Sequence, residues 1–139
     1  LEFKISDWNQ VIKTNLYGSF FVAQNVAKIM IDNNFGRVIF ISSLTSEIGL
    51  PNMSPYVASR GGIKQLSKSL AVEWASKGIR VNWGGPGRIK TPMTEDIFSN
   101  PEISESFLQL IPKNRAGVPD DIIGATLFLA SEEASLSDL

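Results

Sequence analysis

The sequence predicts an α/β fold, and three observations carry that prediction. Residues 37–42, Arg37-Val38-Ile39-Phe40-Ile41-Ser42, are short, β-rich and apolar on both parities, the pattern of a strand buried on both faces. Residues 79–83, Ile79-Arg80-Val81-Asn82-Trp83, form a second such run. Between them lies a long helical period, and the order strand, loop, helix, strand makes a βαβ unit with parallel strands and a right-handed crossover.

The elements follow in order. Ser6 is an N-cap candidate, and Trp8, Val11, Ile12, Leu16, Ala23, Val26, Ala27 and Met30 then recur at steps of three and four. One long amphipathic helix is expected, ending near Asn33-Asn34, where Gly36 leads into the first strand. A loop over 43–55 follows. Pro55 suits the first turn of a second long helix carrying Ala58, Gly62, Ile63, Leu66, Leu70 and Trp74, which stops at Lys77-Gly78, since glycine accepts the left-handed cap. After the second strand, Gly84-Gly85-Pro86-Gly87 forces a sharp loop. Short helices are expected over Met93 to Phe98 and Ile103 to Leu110, and Pro119 opens a last helix from about Asp120 to Ala130. Two strands make no stable sheet alone, so flanking strands and a larger domain are expected.

Composition narrows the chemistry. Of 139 residues, 13 are basic and 14 acidic, and they are interspersed, which gives no footprint for nucleic acid or an anionic membrane. There is neither cysteine nor histidine, which excludes thiolate and imidazole metal sites, disulfides, cysteine nucleophiles and His-dependent triads. Any catalysis must therefore use Ser, Tyr, Lys, Arg or carboxylates. No apolar run reaches the roughly 18 residues of a membrane span, and Leu1-Glu2-Phe3-Lys4 lacks the order of a signal peptide, so a cytoplasmic protein is expected.

One constellation stands out. Tyr56 and Arg60, four apart at the start of a helix, share a face. Ser43 follows the carboxyl end of a strand, where open α/β sheets border their ligand crevice, and the Pro86-Gly87 loop should converge on the same place. A phenol with an ordinary pKa near 10 is a poor acid or base at neutral pH. A cation about 5 Å away, at an effective dielectric of about 20, is worth roughly 3 kcal/mol, or about 2 pKa units. A tyrosine so placed exchanges a proton with a carbonyl or alcohol oxygen that a serine hydroxyl also holds, and the remaining hydride transfer calls for a cofactor.

These residues resemble the short-chain dehydrogenase/reductase family, whose tetrad is Asn, Ser, Tyr and Lys around a Tyr-x-x-x-Lys core. Asn15, Ser43, Tyr56 and Arg60 stand in that order here, and Pro86-Gly87-Arg88-Ile89-Lys90-Thr91 is similar to the family's Pro-Gly-x-Ile/Val-x-Thr segment. Asn15-Leu16-Tyr17-Gly18, Ile41-Ser42-Ser43, Tyr56-Val57-Ala58-Ser59 and Phe128-Leu129-Ala130-Ser131 are also like family text.

The resemblance implies the catalytic part of a Rossmann-like, doubly wound parallel sheet over 1–139, with the family's N-terminal Gly-rich turn and its last strand missing. It implies NAD or NADP as cofactor and a small alcohol or carbonyl substrate, with sugar-acid dehydrogenases and 3-oxoacyl reductases the nearest kinds. Tyr56 would be the acid/base, Ser43 would position the substrate oxygen, Asn15 would hold a relay water at a helix irregularity, and Arg60 would face the nicotinamide ribose. The active-site segment would be 43–60. Pro86, Gly87, Ile89 and Thr91 would line the nicotinamide within a cofactor and substrate loop at 84–112. The family also implies a homodimer or homotetramer through the two long helices, with Tyr17, Phe20 and Phe21 available to that surface.

The departures are Arg60 in place of lysine and Trp83-Gly84-Gly85 before the turn. Arginine keeps the charge and can fork onto two hydroxyls, but it does not release a proton. Three readings stay open at this stage: an active oxidoreductase, a cofactor-binding protein of weak activity, and an inactive piece of a larger enzyme. Ser42, Ser54 and Ser59 are read as structural.

Overall fold

The computed structural model describes residues 2–137. In chain order the elements are α1 (Ile5–Ile12), a π-helical turn (Lys13–Tyr17), α2 (Gly18–Asp32), β1 (Gly36–Ile41), α3 (Ser54–Trp74), β2 (Ile79–Gly84), α4 (Glu95–Ser99), α5 (Pro101–Leu108) and α6 (Asp120–Ala130). β1 and β2 pair in parallel, with Gly36 opposite Ile79 and Ile41 opposite Gly84, and α3 is the connection between them. The expected βαβ unit is present. Among the described residues these two strands are the whole sheet.

Three layers result. Phe40 of β1 and Ile79 and Val81 of β2 face Ala23 and Ala27 of α2 and Ile63, Leu70, Ala71 and Trp74 of α3, forming one buried cluster. Burial of such side chains is the main stabilising term, at about 25 cal/mol per Å² of apolar surface.

The opposite face of the sheet departs from the apolar expectation. It carries Arg37, Arg80 and Asn82, which bind the last turns of the chain. The Arg80 guanidinium donates to the carbonyls of Leu129 (3.4 Å), Ser131 (2.6 Å) and Ala134. Asn82 donates to the Ser137 carbonyl at 2.7 Å, and Arg37 pairs with Glu132 at 2.9 Å. A cation at a helix C-terminus meets carbonyls that have no intrahelical partner, which is why a buried arginine is tolerated there.

Two corrections concern the first helix. It starts at Ile5 with Lys4 as the extended residue before it, and Ser6 Oγ bonds Asp7 instead of capping. It is also not continuous, because the π-helical turn at Lys13–Tyr17 divides it. Thr14 and Asn15 are weak helix formers, and an extra residue in one turn is the usual form of such a break. Asn34 at φ 48° ends α2 as expected. The short helices begin earlier than their apolar period suggested, at a 3-10 turn from Pro92 and at Pro101, where Asn100 Oδ1 accepts from the amides of Glu102 and Ile103. The last helix spans Asp120–Ala130, as expected.

The base of the βαβ unit closes at Gly78. Its φ is 74°, its carbonyl accepts from Gly36 N–H at 3.0 Å, and a Cβ there would strike the Asn34 backbone. Only glycine meets both demands. Gly78→Ala should therefore cost about 2 kcal/mol or more, read by chemical denaturation; a stability equal to the parent's would refute this account of the turn.

A second constraint sits before α6. Arg115 donates twice to Asp121, at 2.7 and 2.8 Å, and Val118 N–H donates to the same carboxylate at 2.8 Å. The Arg115 hydrogen bond, followed by that of Val118, holds the Asp121 carboxyl well below the usual carboxylate range. The folded carboxyl thus keeps its charge to lower pH than an unfolded one. Its stabilisation is fully present above the ordinary value of about 4 and is lost as the pH falls. The melting-temperature gap between Asp121→Asn and the parent should shrink steadily between about pH 5 and about pH 2; a constant gap would contradict the linkage.

Candidate active site

The site forms where β1, β2 and α3 end or begin. β1 delivers Ser42 and Ser43, and β2 delivers Gly84 to Gly87. The two exits run side by side, with Ser42 N–H donating to the Gly84 carbonyl (2.7 Å) and Leu44 N–H to the Pro86 carbonyl (2.9 Å). Ser43 is extended, and its Oγ accepts from Thr45 N–H at 3.2 Å, which starts a 3-10 turn at Leu44–Ser46. A Cβ at Gly85 would lie 3.3 Å from the Ser43 carbonyl oxygen, so the two loops touch through backbone.

α3 enters beside them. Pro55 occupies its first turn, where a missing N–H costs nothing, and Tyr56 follows, half-buried. One turn on, the Arg60 guanidinium carbon lies 4.9 Å from the Tyr56 ring centroid, so the two share a face as their spacing implies. Arg60 also reaches back to β1. Its Nη1 donates to the Ile41 carbonyl at 2.9 Å, and Ser42 Oγ donates to the Arg60 carbonyl at 2.8 Å. Its Nε is buried and has no hydrogen-bond partner.

The π-helical turn brings Asn15 to the same helix. Asn15 Nδ2 donates to Ser59 Oγ at 3.0 Å, and Ser59 Oγ donates to the Tyr56 carbonyl at 2.7 Å. The expected irregularity around Asn15 is therefore present, and Ser19 Oγ donates to the Asn15 carbonyl at 2.7 Å within it. Leu16 of the turn lies on Gly62, where a Cβ would sit 3.0 Å from its methyl, so a larger residue would push the turn off α3.

The loop after β2 continues outward. Gly87 is exposed, with nothing within 4 Å of a Cβ placed on it. Ile89 forms a parallel bridge with Gly117, and Thr91 caps the 3-10 turn at Pro92–Thr94 with its hydroxyl 3.3 Å from that of Thr94. Arg88 and Lys90 point to the α4–α5 segment, with Arg88 Cζ 3.6 Å from the Phe107 ring centroid and Lys90 Nζ 5.6 Å from that of Phe98. An open groove of about 490 Å³ is lined by Lys90, Thr91, Pro92, Glu95, Phe98 and Ser99. It includes Thr91 but none of Asn15, Ser43, Tyr56 or Arg60.

Trp83 lies beside α3 with the Lys64 ammonium 5.6 Å from its ring centroid, and Lys64 pairs with Glu47 in the loop after Ser43. This strap was not anticipated. Neither were the bonds of Ser42 and Ser59, although a serine three residues past Tyr56 in a helix is placed to back-bond that residue's carbonyl.

Comparison with known proteins agrees with the geometry. The family described as Enoyl-(Acyl carrier protein) reductase matches residues 1–137. Gluconate 5-dehydrogenase of Gluconobacter oxydans is 35% identical over 96% of this chain and 52% of its own length. A 3-oxoacyl-(acyl-carrier-protein) reductase of Rickettsia bellii is 40% identical over 97% of this chain and 55% of its own. The crystal structure of a gluconate 5-dehydrogenase from Burkholderia cenocepacia, in complex with NADP and tartrate, superposes with a TM-score of 0.95 at 34% identity, over 99% of this chain and 54% of that one. The chain thus spans about half the length of the curated relatives it matches. Agreement of both sequence and backbone along nearly all of its residues makes the chain a member of the short-chain dehydrogenase/reductase family.

Proposed function

We propose that this chain is the catalytic part of an NAD- or NADP-dependent oxidoreductase that interconverts an alcohol and a carbonyl on a small substrate, with a polyhydroxy acid as the favoured class. The observation that carries the reading is Tyr56 lying under the Arg60 guanidinium beside the paired exits of β1 and β2. The likeness to two gluconate 5-dehydrogenases, one solved with NADP and tartrate, supports the substrate class.

The residues present fit a nicotinamide cofactor. Gly87 leaves open space at the mouth of the crevice, and Arg60 keeps an unpartnered buried donor beside the tyrosine, the kind of chemistry that ribose hydroxyls satisfy. Arg60, Pro86, Gly87, Ile89 and Thr91 would hold the nicotinamide end, and Tyr56 would meet the ribose as well. When bound, the cofactor accepts or supplies the hydride.

The chain's own residues then handle the oxygen and its proton. The Ser43 hydroxyl donates to the substrate oxygen and fixes it at the tyrosine. Tyr56 Oη takes the alcohol proton in oxidation and returns one in reduction, while Arg60 remains charged and offsets the phenolate. Since arginine does not pass that proton on, the onward path runs through Asn15 and a water. Of the three aromatic residues expected at a surface between copies, Phe20 packs against the buried cluster, while Tyr17 and Phe21 are exposed and with Val22, Val26 and Ile29 would form that contact in a homodimer or homotetramer. No helix among the described residues is long and apolar enough to cross a membrane.

Two substitutions in the intact protein test the reading. With gluconate and NADP, Tyr56→Phe should lower kcat by about 10²- to 10⁴-fold with an unchanged circular dichroism spectrum; undiminished turnover would sink the proposal. Arg60→Lys should leave kcat within about tenfold of the parent, because the cation persists. A gain of several orders of magnitude would favour the weakly active alternative.

A further inference from the structure

Ser59 is fully buried in α3, yet its hydroxyl is the only side-chain group joining the π-helical turn to the first turn of α3 among the hydrogen bonds of the described residues. A serine hydroxyl has a single proton to donate. Here that proton goes to the Tyr56 carbonyl at 2.7 Å. Toward Asn15 the same oxygen must therefore accept, and the Asn15 amide must present its nitrogen, as it does at 3.0 Å. The direction of the chain is thus fixed by counting protons: Asn15 Nδ2 to Ser59 Oγ, Ser59 Oγ to the Tyr56 carbonyl. It follows that Asn15 Oδ1 faces away from Ser59 as an acceptor.

We propose that Ser59 is a positioning residue for the reaction, setting the amide of Asn15 one way round and tying the π-helical turn to the backbone of Tyr56. The inference rests on the proposed tyrosine chemistry and deepens it. Ser59 touches neither substrate nor cofactor in this scheme and acts through its two neighbours. An acceptor held at Asn15 Oδ1 orders a water donor, whereas a flipped amide would offer N–H groups there. The hydroxyl decides between these two arrangements. The loop serines near the site have no comparable position: Ser46 Oγ bonds only the Ser43 carbonyl, and Ser42 Oγ is committed to Arg60.

A double-mutant cycle on Asn15 and Ser59 in the intact protein, assayed with gluconate and NADP, separates positioning from mere packing. Ser59→Ala should lower kcat about tenfold, the scale of one lost hydrogen bond, with KM for gluconate within about twofold of the parent. Asn15→Ala should lower kcat at least as far, and the double variant should be no slower than Asn15→Ala alone. Asn15→Asp, which puts an acceptor against an accepting oxygen, should be as slow as Asn15→Ala, and it leaves the buried serine in place. The proposal is overturned if the two single effects multiply, if Asn15→Asp is fully active, or if Ser59→Ala lowers the melting temperature while kcat and its pH profile match the parent. Failure of the underlying reading looks different: the parent would not turn over, or Tyr56→Phe would be as active as the parent.

Discussion

The exchange of hydrogen bonds between the end of β1 and the second turn of α3 is the constraint on which the site depends. Ser42 gives its hydroxyl proton to the Arg60 carbonyl, and the Arg60 side chain returns one to the Ile41 carbonyl. Each bond alone contributes on the order of 1 kcal/mol. Together they fix the helix along the strand, placing Arg60, and with it the Tyr56 ring one turn earlier, at the end of the strand from which Ser43 leads. The parallel ladder supplies the rest, carrying the Gly84 to Gly87 backbone to the same level through the Ser42 and Leu44 amides. The tyrosine is thus located by backbone carbonyls more than by its own side-chain contacts.

What could be read in advance was what is local or periodic. The βαβ unit, the end of α2 at the two asparagines, the glycine stop at Gly78 and the bounds of α6 each rest on a few adjacent residues whose chemistry has one outcome. The pairing of Tyr56 with Arg60 is of that kind too, since four residues in a helix make one turn. What escaped depends on partners distant in sequence. The break at Lys13–Tyr17 is bonded to Ser59 on another helix, and the family resemblance at Asn15 points to it where the apolar period of residues 5–32 does not. Ser6 has the chemistry of a cap, but the extended backbone at Lys4 lets the helix start at Ile5, two residues earlier than a Ser6 cap would set it. The second strand is expected to be apolar on both faces, but Arg80 and Asn82 line one of them, where the end of α6 and the turns after it supply carbonyls from about 50 residues away.

Arginine at position 60 also acquires a structural meaning that its charge alone does not convey. A guanidinium is wide enough to cover the Tyr56 ring and still donate to a strand carbonyl, whereas an ammonium is a point donor. Helix and strand are therefore joined through the same side chain that lies over the Tyr56 ring. The second strap, from Glu47 in the serine loop to Lys64 two turns along α3 from Tyr56, fixes the same loop from its far side.

The βαβ register carries the last consequence. Gly36 meets Gly78 at one end of the sheet, and Ser42 meets Gly84 at the other. Between those ends the chain climbs about 3.3 Å per residue, some 20 Å in all. A slip of one residue at the lower end would turn every side chain above it to the opposite face. For anyone recombining or randomising this segment, the positions that govern how the strand ends align therefore include ones far outside any sphere drawn round the phenol. A library confined to that sphere would leave the alignment of the whole crevice untouched.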